Sequence, residues 1–128
     1  MAGIRARVKG SHSGVMVTAS HNPKQDNGLK IVERDGSMLE HSWEKLAEDL
    51  VNAPDLASFL HELATGKHEE AYPGISSHIF PSGKSDSKEL VFIGMDTRES
   101  SQRLCNALKL GVDLIGGHTY DLGLVSTP

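Results

Sequence analysis

Residues 15–32 constrain the fold more than any other stretch of this 128-residue chain. An apolar run at 15–17 is typical of a buried strand, and it leads through two small residues into a Ser-His-Asn-Pro corner at 20–23. The residue before a proline is confined to extended backbone geometry. Asn27-Gly28 is a turn signal, because both residue types tolerate positive φ. We therefore expect strands at 14–18 and 29–33, joined by a tight loop that presents a hydroxyl.

This loop brings three polar side chains toward one place. Ser20 supplies a hydroxyl, His21 an imidazole, and Lys30, on the return strand, an ammonium. A serine at the C-terminal end of a strand lies where open α/β sheets place their ligands. A lysine beside it can act as a general base toward a hydroxyl. The simpler alternative is that Ser20 only caps a turn, and that His21 and Lys30 are solvated surface residues.

A second buried strand is predicted at residues 90–95, from an unbroken apolar run. It delivers Asp96-Thr97-Arg98 at its C-terminal end, in the same sheet as the Ser20 loop. Arg98 offers a planar donor fork that suits phosphate oxygens. The alternative is that Asp96 simply pairs with Arg98.

Apolar residues recur at helical spacing over residues 43–51, 56–64 and 104–115, and a last strand is expected at 118–123. Ser42 and Ser100 stand where helix N-caps are expected. Residues 1–13 are read as the frayed end of a helix rather than as a basic arm. Strands that alternate with helices predict an α/β fold, with flanking helices and a layered, mostly parallel mixed sheet.

Residues 66–88 are rich in Ser, Gly, Pro, Lys and His and keep neither a helical nor a strand period. We expect a mobile insertion loop there, on the surface of one domain that spans residues 1–128. The helical and strand pattern resumes directly after this segment, so it does not mark a domain boundary.

Composition excludes several classes of function. The formal net charge is −4, which gives no electrostatic reason to expect a nucleic-acid partner. No apolar run approaches membrane-spanning length, and the N-terminus lacks the apolar stretch of a signal peptide. The single cysteine, Cys105, fits a reducing compartment. We therefore expect a cytoplasmic protein with no membrane partner.

Three motifs resemble the α-D-phosphohexomutase family. The string T-A-S-H-N-P-K-Q-D-N-G-L-K at 18–30 resembles the family's phosphoserine loop, which has Ser-His-Asn-Pro, then Asn-Gly, then Lys at this spacing. The string G-M-D-T-R-E-S-S at 94–101 resembles the family's G-R-D-T-R-x-S segment, although Met95 replaces the usual arginine. The end of the chain, L-G-L-V-S-T-P at 122–128, resembles the G-x-x-x-T-P segment that closes the family's first domain. The resemblance covers nearly all of residues 14–128 outside the 66–88 segment.

The resemblance implies the fold of the family's first domain and a magnesium-dependent mutase chemistry. Ser20 would be the phosphoserine, and its phosphate would be one ligand of Mg²⁺. Lys30 and His21 would take part in catalysis, and a sugar bisphosphate would be the primer and intermediate. The substrate would be a sugar phosphate, and its phosphate would be bound by Arg98, Asn22 and Asn27.

Short matches at 36–39, 42–44 and 52–53 are most similar to the eukaryotic branch of the family that interconverts N-acetylglucosamine 6-phosphate and N-acetylglucosamine 1-phosphate, on the route to UDP-N-acetylglucosamine. The family's metal aspartates, its sugar-specificity loop and its far phosphate-binding loop come from other domains. The resemblance therefore implies most of a first domain that begins late, whose partners are the remaining domains and which is inactive alone.

Two alternatives remain open at this point. One is a truncated, non-catalytic relative that binds a sugar phosphate or a partner protein, and the other is a specificity of the phosphoglucomutase or phosphomannomutase type. A serine hydrolase is disfavoured, because the chain lacks a Gly-x-Ser-x-Gly nucleophile elbow.

Overall fold

The computed structural model describes residues 1–79 and 90–126. The elements in chain order are α1 (Ala2–Lys9), β1 (Ser13–Val17), β2 (Leu29–Val32), a 3₁₀ turn (His41–Trp43), α2 (Glu44–Asn52), α3 (Leu56–Ala64), α4 (Ser76–Ile79), β3 (Leu90–Met95), α5 (Ser101–Leu114) and β4 (His118–Leu124). None of these helices is long and apolar enough to cross a membrane.

The four strands form one mixed sheet in the order β2-β1-β3-β4. Strands β1 and β3 are parallel, as are β3 and β4, whereas β2 runs antiparallel to β1. The prediction of an α/β fold with a mostly parallel mixed sheet is therefore confirmed. Because Val17 pairs with Met95, the C-terminal ends of β1 and β3 lie side by side. The segments that follow these two strands consequently share one edge of the sheet.

Helices α1 and α5 both contact strands β1 and β3. The apolar core between these helices and the sheet contains Ala2, Val15, Val17, Val91, Ile93, Cys105 and Val112. Cys105 is only 1% exposed, so it lies inside this core, and burial raises the pKa of its thiol. A second apolar core is built by Ile4, Leu46, Leu63, Tyr72, Ile75 and Ile79. This second core joins α1 to α2, α3 and α4.

The N-terminal segment forms a helix, as its sequence predicts, but the helix is not frayed. Residues 2–6 are all buried, and they include Arg5 at 3% exposure. The Arg5 guanidinium donates to Glu33 (2.7 Å) and to Glu40 (2.8 Å). It also lies 4.6 Å from the centre of the Trp43 ring. The basic residues that suggest a solvated end therefore include one that is fully packed in the fold.

The prediction of a surface loop over 66–88 fits the turns at 66–75, but residues 76–79 form helix α4 and parts of the segment are buried. Tyr72, Ile75 and Ile79 are buried in the second core, and the Tyr72 hydroxyl donates to Asp49. These three residues are scattered through a polar segment, so hydrophobic periodicity does not predict their burial. Together they fill the space between α1 and α3. The remainder of the segment, 80–88, lies outside the described residues, and its mobility stays a prediction.

Neither serine predicted as an N-cap makes a capping hydrogen bond to a helix. Ser42 lies within the 3₁₀ turn, and α2 begins at Glu44, so the predicted N-cap role of Ser42 is wrong. Helix α3 is instead capped by Asp55, whose carboxylate accepts from the backbone N–H groups of Ala57 (3.1 Å) and Ser58 (3.3 Å). Ser100 does precede α5, but its hydroxyl accepts from another side chain.

Candidate active site

Ser20 stands three residues after the end of β1 in a strained backbone conformation. Its φ is 50°, and no other non-glycine residue in the described parts of the chain has a positive φ. The left-handed region costs an L-residue about 1–2 kcal/mol. The Ser20 residue is exposed to solvent. Such strain persists only where neighbouring groups hold the backbone in place, and it is common at functional sites.

The side chain of Lys30 reaches the Ser20 hydroxyl. Its Nζ donates to Ser20 Oγ at 2.8 Å. Strand β2 returns antiparallel beside β1 and pairs Lys30 with Met16, and the loop between the strands leaves Ser20 above the end of the sheet. The expectation that this loop brings a hydroxyl and an ammonium together is therefore confirmed.

Both backbone polar groups of Ser20 are held by other residues. Its N–H donates to Thr18 Oγ1 at 3.0 Å, and its carbonyl accepts from Arg98 Nη2 at 3.2 Å. The same Arg98 nitrogen donates to the carbonyl of Asn22 at 2.9 Å. The loop is tightened further by the Asn22 N–H, which donates to the carbonyl of Ala19 at 3.0 Å. These bonds explain how Ser20 keeps an unfavourable φ.

Asp96 is the centre of the hydrogen bonds beneath the loop. Its carboxylate accepts from Ser101 Oγ (2.7 Å), Thr18 Oγ1 (2.8 Å), the Arg98 N–H (3.1 Å) and the Arg98 guanidinium. Burial by itself raises the pKa of Asp96, but the bonds from Ser101, Arg98 and Thr18 outweigh it and lower the pKa to about 2. The carboxylate is therefore ionised at neutral pH.

Sequence reasoning treated Asp96 only as a possible partner of Arg98 and missed its central role. The pattern Asp-Thr-Arg at a strand end contains the local part of the signal, because an aspartate often accepts from the N–H two residues later. The bonds to Thr18 and Ser101 depend on tertiary structure. Thr18 is 2% exposed and Ser101 is 1% exposed, so both hydroxyls are internal groups that the fold must satisfy.

The Arg98 guanidinium is bonded to other groups of the protein in this structure. Its side chain is 11% exposed, and its guanidinium contacts Asp96 together with two loop carbonyls. The alternative derived from the sequence, a pair between Asp96 and Arg98, is therefore observed. A contact between Arg98 and a substrate phosphate stays a prediction.

Of the two asparagines assigned to the substrate phosphate, Asn27 is turned toward α5. Its Nδ2 donates to Ser100 Oγ (2.9 Å) and Ser101 Oγ (3.3 Å), and its Oδ1 accepts from the Gly28 N–H. These bonds join the end of the loop to the first turn of α5. His21 and Asn22 are both exposed on the loop, and the roles predicted for their side chains are not tested by these contacts.

An open cleft of about 300 Å³ lies beside the loop, lined by Lys24, Gln25, Thr97, Arg98, Glu99 and Ser100. A larger cleft, of about 750 Å³, contains Arg5, Glu33 and Glu40 and lies near the opposite end of β1. The larger cleft is remote from Ser20, so its size alone does not mark it as the site of chemistry.

Comparison with known proteins agrees with this geometry. The family model described as phosphoglucomutase/phosphomannomutase, alpha/beta/alpha domain I, matches residues 2–58. The phosphoacetylglucosamine mutase of Sus scrofa is 38% identical over 134 residues, which covers 100% of this chain and 21% of that protein.

A solved serine-to-alanine variant of Aspergillus fumigatus N-acetylphosphoglucosamine mutase, in complex with glucose 1,6-bisphosphate, superposes with a TM-score of 0.76 at 31% identity, over 98% of this chain and 21% of that one. The chain is similar, over nearly its whole length, to one part of members of the α-D-phosphohexomutase superfamily. A second structure of the Aspergillus fumigatus enzyme, in complex with GlcNAc-6P and magnesium, gives a TM-score of 0.70 at 31% identity, over 97% of this chain and 21% of that one. The chain thus spans about one fifth of the length of the superfamily members it matches.

The side chains of the described residues limit how much of a metal site this chain can supply. No three His, Cys, Asp or Glu side chains in residues 1–79 and 90–126 are grouped so as to hold a metal ion. Asp96, whose carboxylate lies beneath the loop, already accepts four hydrogen bonds. A role for Ser20 as a ligand of a divalent cation stays a prediction.

Proposed function

We propose that this chain is the phosphoserine-bearing part of an isomerase that interconverts N-acetylglucosamine 6-phosphate and N-acetylglucosamine 1-phosphate. The contact between Lys30 Nζ and Ser20 Oγ, at 2.8 Å on an exposed and strained loop, carries the proposal. The similarity to phosphoacetylglucosamine mutases supports the choice of sugar, and the related structure with GlcNAc-6P and magnesium supports the ligand class. A sugar bisphosphate as intermediate agrees with the complex of the related fungal enzyme with glucose 1,6-bisphosphate.

In the first half of the proposed reaction, the phosphoryl group leaves Ser20 Oγ for a hydroxyl of the bound sugar monophosphate. The bond between phosphorus and Ser20 Oγ breaks as a bond between phosphorus and the sugar oxygen forms. The hydroxyl proton passes to the Lys30 amine, which in turn protonates the departing Ser20 oxygen. In the second half the bisphosphate, bound in the opposite orientation, returns its other phosphoryl group to Ser20. Lys30 takes the proton of the Ser20 hydroxyl as Oγ attacks and passes it to the sugar oxygen that is released.

The remaining residues are proposed to bind rather than to transfer protons. His21 and Asn22 are exposed beside Ser20, where they can donate hydrogen bonds to the substrate or its phosphate. Arg98 and Asn27 hold the two ends of the loop and so define the shape into which the phosphate fits. Mg²⁺, bound through the Ser20 phosphate, would neutralise charge that develops on the transferring group.

Two further parts of the proposal concern the setting of the enzyme. We expect it to act in the cytoplasm, because the single cysteine, Cys105, is a buried free thiol. We also expect its product to be used on the route to UDP-N-acetylglucosamine. We also expect the remaining domains of a longer protein to supply the other Mg²⁺ ligands and the second phosphate site. The 128-residue chain assayed alone should therefore show no mutase turnover.

The test uses the full-length mutase that carries this chain. Peptide mass spectrometry of active enzyme should find phosphate on Ser20, and Ser20→Ala should remove nearly all turnover while leaving the circular dichroism spectrum unchanged. Ser37→Ala is a matched control, because Ser37 is also exposed and its hydroxyl donates to the nearby Asp35. Phosphate on other serines alone, or an active Ser20→Ala enzyme, would exclude the proposed reaction.

Substrate preference is tested in the same preparation. Turnover with N-acetylglucosamine 6-phosphate is expected to exceed turnover with glucose 6-phosphate and with mannose 6-phosphate. The reverse order would assign the chain to the phosphoglucomutase or phosphomannomutase type, and sugar-phosphate binding without turnover would favour a non-catalytic relative.

A further inference from the structure

We propose that Asp96 is a positioning residue, which holds the backbone of Ser20 in the geometry needed for transfer by acting through Thr18 and Arg98. This inference rests on the proposed function, because it concerns the same reaction. Asp96 does not touch the Ser20 side chain. Its effect is transmitted by two separate sets of hydrogen bonds, one on each side of the Ser20 backbone.

The first set runs through the hydroxyl of Thr18. A hydroxyl has one hydrogen to donate and two lone pairs that accept. The Thr18 hydrogen is donated to Asp96 Oδ2 at 2.8 Å, which leaves the oxygen free to accept from the Ser20 N–H at 3.0 Å. Without the carboxylate the buried hydroxyl would be free to rotate its hydrogen toward other acceptors. Asp96 therefore orients the acceptor on which the Ser20 N–H depends.

The second set runs through the guanidinium of Arg98. The Arg98 backbone N–H donates to Asp96 Oδ1 at 3.1 Å, and the side chain donates from Nη1 to Oδ2. A guanidinium is planar and rigid, so fixing one of its nitrogens also fixes the plane in which the others lie. The second nitrogen, Nη2, donates to the carbonyls of Ser20 (3.2 Å) and Asn22 (2.9 Å). Asp96 thereby orients the donor that holds the Ser20 carbonyl.

The carboxylate that orients both groups is itself anchored to the core. Ser101 Oγ, at the buried start of α5, donates to Asp96 Oδ1 at 2.7 Å. The Asp96 backbone N–H donates to the carbonyl of Val17 at 3.2 Å, which ties the end of β3 to the end of β1. The position of Ser20 is therefore fixed by contacts to the rigid sheet and to α5, and not by the exposed loop alone.

Phosphoryl transfer makes this positioning consequential. The protein contributes mainly orientation and charge, so the rate depends on where Ser20 Oγ stands relative to Lys30 and to the incoming hydroxyl. A residue with φ of 50° relaxes when its restraints are removed. A displacement of about 1 Å at a reacting atom can lower a rate by about 100-fold.

The experiment compares Asp96→Asn with wild type in the full-length mutase. The variant keeps the size of the side chain and removes the charge and one acceptor oxygen. We expect kcat to fall about 100-fold, while the KM for the sugar phosphate changes less than about threefold. The rate at which Ser20 takes phosphate from glucose 1,6-bisphosphate should fall by the same factor as kcat.

Asp121→Asn is the matched control. Like Asp96, Asp121 accepts from the N–H two residues later, that of Gly123 (2.7 Å), and from a basic side chain, that of Lys109. It lies on β4, away from the Ser20 loop. Asp121→Asn should leave kcat unchanged, and an equal loss of kcat in the two variants would overturn the inference.

Thr18 provides a second pair of variants in case Asp96→Asn fails to fold. Thr18→Ser keeps the hydroxyl and should keep at least half of kcat, whereas Thr18→Val removes it and should lower kcat at least tenfold, a smaller loss because the Arg98 route is left intact. A Thr18→Val enzyme with wild-type kcat would overturn the inference.

Amide hydrogen exchange of the peptide covering residues 18–23 separates this inference from the proposed function. Asp96→Asn should speed exchange of this peptide, and Asp121→Asn should not. Because exchange does not require turnover, it decides the role of Asp96 even if the wild-type enzyme proves to lack mutase activity. Unchanged exchange in Asp96→Asn, or a raised KM with unchanged kcat, would overturn the inference and leave the proposed function standing.

Discussion

Arg5 and Arg98 lie near opposite ends of the sheet and use their guanidinium groups differently. Arg5 is 3% exposed and donates to the side chains of Glu33 and Glu40, while its flat face lies over Trp43. Arg98 is 11% exposed and donates to one carboxylate and to two backbone carbonyls of an exposed loop. Both are arginine–carboxylate clusters, but only the second determines a backbone conformation.

The contrast shows how one residue type serves stability at one end of the sheet and geometry at the other. The partners of Arg5 come from the end of β2 and from the segment before α2, so its bonds hold layers of the fold together. The backbone partners of Arg98 belong to the loop of Ser20, so its bonds hold the proposed phosphoserine in place. Substitutions at the two ends should therefore change different measured quantities.

The largest expected effect is at the Ser20 end, in the full-length mutase. Lys30→Met should lower kcat about 1,000-fold, because a positioned general base contributes about 10²–10⁴-fold. The KM should change much less, since Lys30 acts on a proton in the transition state. Steady-state kinetics measure both constants, with Lys45→Met as the control, because Lys45 pairs with Asp49 on α2. An unchanged kcat with a raised KM would reassign Lys30 to phosphate binding.

The next effect is on the free energy of unfolding, and here the larger loss is expected at the Arg5 end of the sheet. Arg5→Met should lower the free energy of unfolding by about 3 kcal/mol, because it leaves Glu33, which is 16% exposed, without its partner. Arg98→Met should cost about 1–2 kcal/mol, since Asp96 keeps its bonds from Thr18 and Ser101. Urea denaturation of the 128-residue chain, followed by circular dichroism, measures both values. Equal losses would remove the distinction between the two clusters.

Acid should lower the stability of the Ser20 end of the sheet by protonating Asp96. Its pKa is lowered to about 2 in the folded protein, against about 3.9 for an unfolded aspartate. The stability that Asp96 contributes is therefore present above about pH 4 and is lost as the pH falls toward 2. Thermal melts between these pH values should show a shallower decline for Asp96→Asn than for wild type. Parallel declines would mean that Asp96 does not carry this acid sensitivity.

The smallest effect concerns the second core, on the Arg5 side of α1. Burial and the neighbouring Asp49 raise the pKa of Tyr72 to about 12. An unfolded tyrosine ionises near pH 10, so stability should fall as the pH rises from about 10 to 12. Tyr72→Phe should cost about 1 kcal/mol at neutral pH and should remove part of this alkaline decline. A cost near zero would argue that the bond between the Tyr72 hydroxyl and Asp49 does not stabilise the fold.

Much of the candidate site could be predicted from the sequence because its central contact is local. Ser20 and Lys30 are ten residues apart on a strand, a loop and a return strand, and the pattern of apolar runs and turn residues predicts that arrangement. The roles of Asp96 and Asn27 could not be predicted in the same way. The Thr18 and Asp96 side chains that bond to each other are 78 residues apart in sequence.

Residues 66–79 show that burial, too, could not be predicted from the sequence. Their composition is that of a surface loop, and a composition-based prediction averages over the few apolar positions. Tyr72, Ile75 and Ile79 are buried only because α1, α2 and α3 leave a space of matching shape beside them. Whether a scattered apolar residue is buried depends on neighbours that come from distant parts of the chain.

The sequence by itself determined the α/β class, the mostly parallel sheet, the strand–loop–strand around Ser20 and the meeting of Ser20 with Lys30. These follow from periodicity and turn chemistry, which act over a few residues. Only the tertiary structure decided that Arg98 turns onto the loop carbonyls, that Asp96 orients both supports of Ser20, and that Arg5 is buried between two carboxylates. Those outcomes depend on the parallel register of β1 and β3 and on helix packing, which bring together groups that no local pattern connects.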